Sequence, residues 1–538
     1  KTKTASVYTE EETTKGNLYK FFWGERYRDV YSTKVTVPTV NLDTLLGGLK
    51  PVRKGGGHQS KSLRLKDNQG REYVMRALKK QALQYLQTTL FLDQYIEGQF
   101  DNTYTEDLVM DVFTGAHPYA PFVIGKLSDA VDVYHTNPTL YYVPKQNALQ
   151  QFNSEFGDEL YMIEERTSDG HGDKASFGFS DEMISTDEML SKINKDEDII
   201  VDQAFYIRAR LFDMLIGDWD RHTDQWRWAK FKENGQTVYR PVPRDRDQAF
   251  SIMGDGFLLG IGTSIISTAR LLKSYEEELN HLVGFNLEPY PLDMALINQS
   301  DRGVWNQQVK LIVDGLTDDV IDDAFKLFPK EVQGADIEDI KRKLKGRRAN
   351  LQLISDGYYD IMVNYSVIRG TNKDDYFEIK RDGNVTRIKG YRIKDGEKAD
   401  VFYDHYFNHD ETKEIWIYGL DDEDVFKVFG TGENLTKVFL IGGQNNDIYD
   451  IQNGNRIKIF DYKSKKNTFL TNKGGKKLND NYTNNVYDYK KLKSKTFSII
   501  PTIGANPDDG IKFGTSATYL SHGLVRNPFT SKHKLAAS

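Results

Sequence analysis

Residues 215–228 read LIGDWDRHTDQWRW, which sets three of the chain's six tryptophans beside three aspartates, two arginines and a histidine. Upstream, Val201, Ala204, Phe205, Phe212, Leu215 and Ile216 recur at helical spacing, so a helix over about 201–216 delivers the chain into this stretch. Downstream, YRPVPRDRDQAF (239–250) reads as a strand ending on Asp245 and Asp247. That order places Asp220, Asp224 and Gln225 on one acidic loop and Asp245 and Asp247 on a second. Two such loops meeting at a cleft would suit magnesium, which prefers oxygen ligands and keeps several waters. Asp218, His222 and Asp224 offer a transition-metal alternative, which a single histidine supports less well. The competing reading is a polar core. In it Arg221 and Arg227 neutralise Asp218, Asp220 and Asp224, inside a packing of Trp219, Trp226 and Trp228.

Phosphoryl transfer needs a metal-held nucleotide, a carboxylate near the acceptor hydroxyl and a cation on the phosphates. Candidates for the last role precede the tryptophan-rich stretch. Gly55, Gly56 and Gly57, with Gln59 and Ser60 beside them, could let backbone amides approach phosphate oxygens, because glycine has no Cβ to obstruct them. Strand-like Ser62–Lys66 and Glu72–Leu78 then flank Asp67-Asn68-Gln69-Gly70, which has hairpin chemistry. The second of these runs into VMRALKK, offering Arg76, Lys79 and Lys80. Arg76 shares a face with Val74, and Lys79 shares the other with Ala77, so the pleat lets only one pair line a cleft. Solvated strand charges are the plainer reading of either residue.

A chain of 538 residues predicts two to four domains. Its 72 Lys plus Arg against 79 Asp plus Glu give a formal charge of −7, which argues against a nucleic-acid partner. Without cysteine, disulfides, zinc-thiolate sites and thiol nucleophiles are excluded. No apolar run reaches the ~20 residues of a membrane helix, and the opening lacks a signal-peptide core, so a mature or trimmed form is expected.

From about residue 360 the composition shifts to Tyr, Asp, Asn, Lys and β-branched residues. Three segments repeat one theme: Gly370, Asp375, Phe377, Ile379; then Gly419, Asp424, Phe426, Val428; then Gly442, Asp447, Tyr449, Ile451. A turn followed by a short strand, stacked several times, predicts a β-solenoid, with a set of antiparallel hairpins as the alternative. In the last segment Ile511, Phe513, Thr515, Ala517 and Tyr519 alternate as in an outer-membrane barrel strand.

Asp220 to Trp226 (DRHTDQW) resembles the catalytic loop of atypical kinases, notably type II phosphatidylinositol 4-kinases, which reads D-R-G-N-D-N-W. Asp245 to Phe250 (DRDQAF) resembles their metal-binding D-N-G-L-A-F, and Val74-Met75-Arg76 their phosphate-binding V-F-K. The resemblance implies that Asp220 orients or deprotonates the acceptor, with Arg221 beside it. It also implies that Gln225 and Asp245 hold the metal and that Arg76 stands for the lysine. Gln225, Arg76 and Asp247 depart from that pattern, and a planar guanidinium does not substitute freely for a lysine. A second resemblance spans nearly the whole chain. GGLKPVRKGGGHQSKSLRL, YVMRALKK, GDWDRHTDQWRW, PRDRDQAF and GANPDDGIKFGTSATYLSHG together look like Bacteroidota outer-membrane proteins that join a soluble domain to a surface-antigen barrel of the barrel-assembly family. More loosely, the Gly and Asp repeats resemble the calcium-binding nonapeptides of repeats-in-toxin proteins, with plain structural turns as the competing reading.

The expected architecture is α+β. Residues 1–45 form an N-terminal extension, 46–358 a kinase-like two-lobed domain, 359–490 a solenoid-like or hairpin β domain, and 491–538 the first strands of an incomplete outer-membrane β-barrel. The implied location is the outer membrane, with the soluble part periplasmic or on the cell surface and envelope proteins as partners. Two functional readings stay open: a non-catalytic, pseudokinase-like module for envelope assembly or transport, and a phosphotransferase using ATP and magnesium. On the second, the site residues are Asp220 and Arg221 for catalysis, Gly55, Gly56, Gly57, Arg76 and Lys79 for the nucleotide, and Asp224, Gln225, Asp245 and Asp247 for the metal.

Overall fold

The Asp67–Gly70 turn closes as its residues dictate: Asp67 accepts the amides of Gln69 and Arg71, each at 2.9 Å, and Gly70 takes a φ of +83°. The computed structural model describes residues 1–55, 60–81, 104–258, 260, 273–506, 510–526 and 528–537. Around this turn, Ser60–Lys66 and Glu72–Lys80 belong to a five-stranded sheet completed by Lys50–Lys54, Glu159–Glu165 and Thr139–Val143. Tyr73, Met75 and Ala77 fill a small core on one face of that sheet. Val74, Arg76, Leu78 and Lys80 therefore turn to the other face, toward the rest of the body.

The polar opening is part of that body. Val7, Tyr8, Tyr27, Val30, Tyr31, Val35 and Val37 are buried in the main core, and Arg26 and Arg28 clamp the buried Asp111. The first 45 residues are thus packed in rather than appended.

The helix expected before the tryptophan-rich stretch runs Gln203–Ile216. The Asp202 side chain caps it by accepting the Phe205 amide, and it ends at Gly217 with a φ of +76°. Its second half is buried on all sides. Trp226–Glu233 and Gln236–Pro243 form a hairpin whose turn residues Asn234 and Gly235 both have positive φ, as this Asn-Gly pair favours. Met183–Ser185 and Ile199–Val201 flank it in a four-stranded sheet. The helices Tyr290–Leu296, Arg302–Gly315, Asp318–Phe325, Ala335–Ala349 and Leu351–Val363 follow, as the amphipathic pattern predicts.

Beyond residue 364 the chain coils between two sheets. Tyr365–Arg369, Glu414–Leu420, Lys437–Gly443, Ile457–Asp461 and Gly475–Leu478 stack in parallel in one. Asp375–Asp382, Val425–Thr431, Ile448–Ile451 and Thr468–Asn472 stack in parallel in the other. Register follows the repeat: Phe377 pairs with Phe426 and Phe426 with Tyr449, while Ile379 pairs with Val428 and Val428 with Ile451. Phe377, Phe426, Tyr449 and Phe469 form a stack with successive ring centroids 5.5, 5.4 and 5.1 Å apart. Both sequence alternatives are present, because Val385–Lys394 and Glu397–Asn408 add antiparallel strands to the edge of the second sheet.

Ser494–Asn506, Gly510–His522 and Ser531–Ala537 form an open antiparallel sheet. Phe497, Ile499, Phe513 and Leu535 lie on one face at 54, 40, 69 and 76% exposure. Thr496, Ser498, Ser516, Thr518, Lys532 and Lys534 register on the opposite face, together with Leu520 and the exposed Ile500. No closed barrel occurs among the described residues, and no helix among them is long and apolar enough to cross a membrane. The whole is a mixed α and β architecture of several sheets.

Candidate functional site

The two acidic loops do meet beneath the five-stranded sheet. The Trp226–Pro243 hairpin brings this about, since its register pairs Trp226 with Pro243 and so sets the residues before one strand beside those after the other. Arg221 fastens them together. Fully buried, it donates from Nη2 to the carbonyls of Arg244 (2.5 Å) and Asp245 (3.2 Å), and its Nε lies 3.5 Å from Asp218 Oδ2. It also lies over the Trp226 ring. Arg221 is therefore a strut between the two loops.

Strand Glu72–Lys80 closes the cleft from above. Arg76 Nη1 donates to Asp245 Oδ1, and Lys80 Nζ to Asp247 Oδ2. Burial works against ionisation of Asp245, yet the charges of Arg76, Lys80 and Arg244 prevail and hold its carboxyl at about 2. Asp245 is also held at a φ of +55°, a conformation that an aspartate tolerates better than most residues. Glu164, opposite Val74 on the neighbouring strand, faces the same cation, and burial raises its pKa.

Asp220 is differently placed. Its carboxylate has no arginine or lysine partner among the described residues, and His222 Nε2 lies 3.9 Å away. Burial first, and then the negative charge of Asp247, push its pKa up. Asp218, fully buried with Oδ1 unpartnered, is pushed up to about 8 by burial, against the opposing charge of Arg221.

Other candidates stay apart. Asp224, 71% exposed at its side chain, turns outward to Arg227 at 3.2 Å. Lys79 is on the far face of its strand, bonded to Glu12 at 2.7 Å and lying over the Tyr8 ring. Gln225 is buried, and its carbonyl accepts the Arg244 amide at 2.9 Å. Gly55 continues the strand ladder by donating to the Ser62 carbonyl, and a Cβ on it would sit 2.0 Å from Ser62 Oγ, so packing accounts for this glycine. Gly56 and Gly57 lie outside the described residues.

Among the described residues no three carboxylate or imidazole groups converge to hold a metal ion. The donor set as folded therefore does not fit magnesium with nucleotide phosphates, because Asp224 faces solvent and Asp245 and Asp247 are bonded to cations. At the solenoid turns Asp424 and Asp447 each use one carboxylate oxygen to accept a backbone amide. Lys80 was legible in principle, since it has the same strand parity as Arg76. Asp218 was read as a partner of Arg221, but its link to Arg246 was hidden, because only the tertiary fold brings the two together.

Replacing Arg76 with alanine would strand Asp245. The depressed carboxyl stabilises the fold above its ordinary pKa of roughly 4, and this contribution is lost as pH falls through about 2. Urea unfolding of Arg76→Ala at pH 7 should show a loss of about 1–3 kcal/mol. Between pH 4 and 2 the variant should also lose the decline due to Asp245.

No family model and no curated protein matches the chain. Among solved structures it is similar to the crystal structure of the Helicobacter pylori proinflammatory kinase CtkA, a distant neighbour at 9% identity with a TM-score of 0.28, over 56% of this chain and 94% of that one.

Proposed function

We propose that the two-lobed body is a kinase-like module that does not transfer phosphate and that serves an outer-membrane barrel protein in envelope assembly or transport. Its parts follow the order of the kinase-like loops: cationic strand, DRHTDQW loop, hairpin, then DRDQAF loop. The observation that carries the non-catalytic reading is the double pairing of Arg76 with Asp245 and Lys80 with Asp247. A divalent ion would have to displace two cations that already neutralise both carboxylates. The placement in the outer membrane rests on the terminal sheet, where Phe497, Ile499, Phe513 and Leu535 are exposed on one face as in the alternation of barrel strands. An aqueous core would leave neither face so bare.

A phosphotransferase is the second reading, and Asp220 favours it. A carboxyl with a raised pKa and no cationic partner is the kind of group that accepts an acceptor's proton. Thermal unfolding with ATP plus magnesium, against ATP plus EDTA, separates the two. The expected result is no magnesium-dependent shift in Tm and no transfer of the γ-phosphate. Magnesium-dependent stabilisation that disappears in Asp245→Ala, together with transfer abolished in Asp220→Asn, would establish the enzyme instead.

A further inference from the structure

The repeated aspartates of the solenoid form a continuous column. The backbone amide of Asp375 donates to Asp424 Oδ1 at 2.8 Å, that of Asp424 to Asp447 Oδ1 at 2.9 Å, and that of Asp447 to Asn467 Oδ1 at 2.9 Å. Each side chain thus tethers the preceding coil, and Asn467 ends the series with an uncharged amide. One carboxylate oxygen per aspartate is used in this way. The other, Oδ2, is buried without a partner in both Asp424 and Asp447. At Gly442 three groups crowd together: a Cβ there would lie 2.1 Å from Asp447 Oδ2, 2.4 Å from the Tyr449 hydroxyl and 2.5 Å from Asp461 Oδ2.

The surroundings offer little positive charge. Tyr449 OH and the Tyr462 amide both donate to Asp461 at 2.6 Å. Thr371 bonds Asp375 through its amide and its hydroxyl. Asp374 and Glu423 add negative charge beside Asp424 and Asp447 respectively. Arg392 stands near Asp375 but pairs with Glu197 at 3.5 Å, and Glu197 also holds Lys373 at 2.9 Å. Among the described residues no lysine, arginine or histidine is ion-paired with Asp424, Asp447 or Asp461. Carboxylates stacked at one coil spacing, with no cation and with buried oxygens unsatisfied, repel one another unless some carry a proton.

We infer that Asp424 and Asp447 of this column, with the adjoining Asp461, hold at least one shared proton at neutral pH, and that its loss in base loosens the turns by which the solenoid grips the rest of the body. The first turn of the column is itself the grip. Asn372 donates its amide to the Asn194 carbonyl at 2.7 Å, Lys373 pairs with Asp196 and Glu197, and Arg369 donates to the Ile193 carbonyl at 2.7 Å. The electrostatics agree in direction. Burial, ahead of the neighbouring carboxylates, raises Asp424 and lifts Asp447 to about 8, and burial lifts Asp461 to about 6 against the hydrogen bonds of Tyr449, Tyr462, Asn467 and Asp447. Raised carboxyls bind more protons folded than unfolded. Their stabilisation is complete below the ordinary value of roughly 4 and declines as pH rises through about 6 to 8.

Hydrogen exchange of the full chain at pH 6 and pH 9, corrected for intrinsic rates and with EDTA throughout, tests this. Residues 370–375, 419–424 and 442–447 should lose roughly tenfold or more in protection at pH 9, since one unit of pKa displacement is a factor of ten. Protection should stay level in the strands of the five-stranded sheet. Asp447→Asn keeps the acceptor for the Asp424 amide and supplies a permanent donor toward Asp461, so it should keep its protection at pH 9. Asp424→Asn, an independent variant of the same kind, should flatten the response in part. Equal protection of the unmodified chain at both pH values would overturn the inference. So would an undiminished loss at pH 9 in a folded asparagine variant.

Discussion

Asp293→Ala is expected to destabilise the body around helix Gln203–Ile216 by about 3–5 kcal/mol, the range for removing one partner from a buried ionic network. Asp293 is fully buried on helix Tyr290–Leu296 and accepts four hydrogen bonds. Tyr206 and Tyr358 donate at 2.7 and 2.6 Å, and Arg210 Nε donates at 3.0 and 3.1 Å to its two oxygens. Arg210, also fully buried, continues to Asp213 at 2.6 Å and to Asn286 at 2.5 Å. Arg246 then bonds Asp213 and lies 3.4 Å from Asp218, which Arg221 approaches at 3.5 Å. Three aspartates and three arginines thus form one buried chain running from the helices to the acidic loops. Alanine at 293 would leave Arg210 Nε and two tyrosine hydroxyls without an acceptor. Asp293→Asn should remain destabilised, because an amide brings no charge to Arg210. Tyr206→Phe removes one hydrogen bond and should lose only about 1 kcal/mol. Tyr206 packs against Trp226 and Trp228 with centroids 5.3 and 5.6 Å away, so tryptophan fluorescence during urea unfolding reports on this region. A loss below about 1 kcal/mol in Asp293→Ala would refute the network's role in stability.

That network also shows where sequence reading runs out. Arg210 and Asp293 are 83 residues apart, and neither helix pattern marks the other as its partner. Periodicity reveals which side of a helix is apolar, but not which buried charge will find which. The solenoid was legible for the opposite reason. Its motif keeps the same internal offsets from glycine to aspartate to aromatic residue, so aligning Gly370, Gly419 and Gly442 gives the register that Phe377, Phe426 and Tyr449 adopt in the stack. The alternation of Phe513, Ala517 and Tyr519 likewise survives as one sheet face. At the site the sequence placed Asp220, Asp245 and Asp247 together, which the hairpin register explains. It could not tell which face of Glu72–Lys80 would look down, because Arg76 and Lys79 are equally polar. Burial of Tyr73, Met75 and Ala77 decides that point and leaves Lys79 on the wrong side. In the opening 45 residues charges masked a sparse set of apolar anchors, Tyr8, Tyr31 and Val35 among them.

Gly419→Ala should break the solenoid at its middle coil, with a loss of about 3 kcal/mol or more, at the upper end for overpacking. The reason is space rather than backbone conformation. A Cβ at this position would sit 2.0 Å from Asp424 Oδ2 and 2.4 Å from the Gly442 carbonyl oxygen. The side chain cannot swing aside without cost, since Asp424 Oδ1 accepts the Asp375 amide at 2.8 Å and both residues are buried. The carbonyl cannot retreat either, because it belongs to the adjoining parallel strand Lys437–Gly443, which pairs with Glu414–Leu420 along its length. Relief would therefore require the coils to separate at the turn, opening the Asp column and the aromatic stack together. Gly396→Ala is the control. Gly396 has a φ of +78° with nothing within 4 Å of a Cβ, so alanine there meets only left-handed strain of about 1–2 kcal/mol. Hydrogen exchange separates the two. Gly419→Ala should deprotect the strands from 414 to 451 while leaving helix Gln203–Ile216 protected, whereas Gly396→Ala should affect only the hairpin around residue 396. In the double variant Gly419→Ala, Asp424→Ala the side-chain clash disappears but the carbonyl clash stays, so stability should not return to that of Asp424→Ala alone. Full recovery would show that the carboxylate, and not the stacked backbone, is what excludes a side chain at position 419.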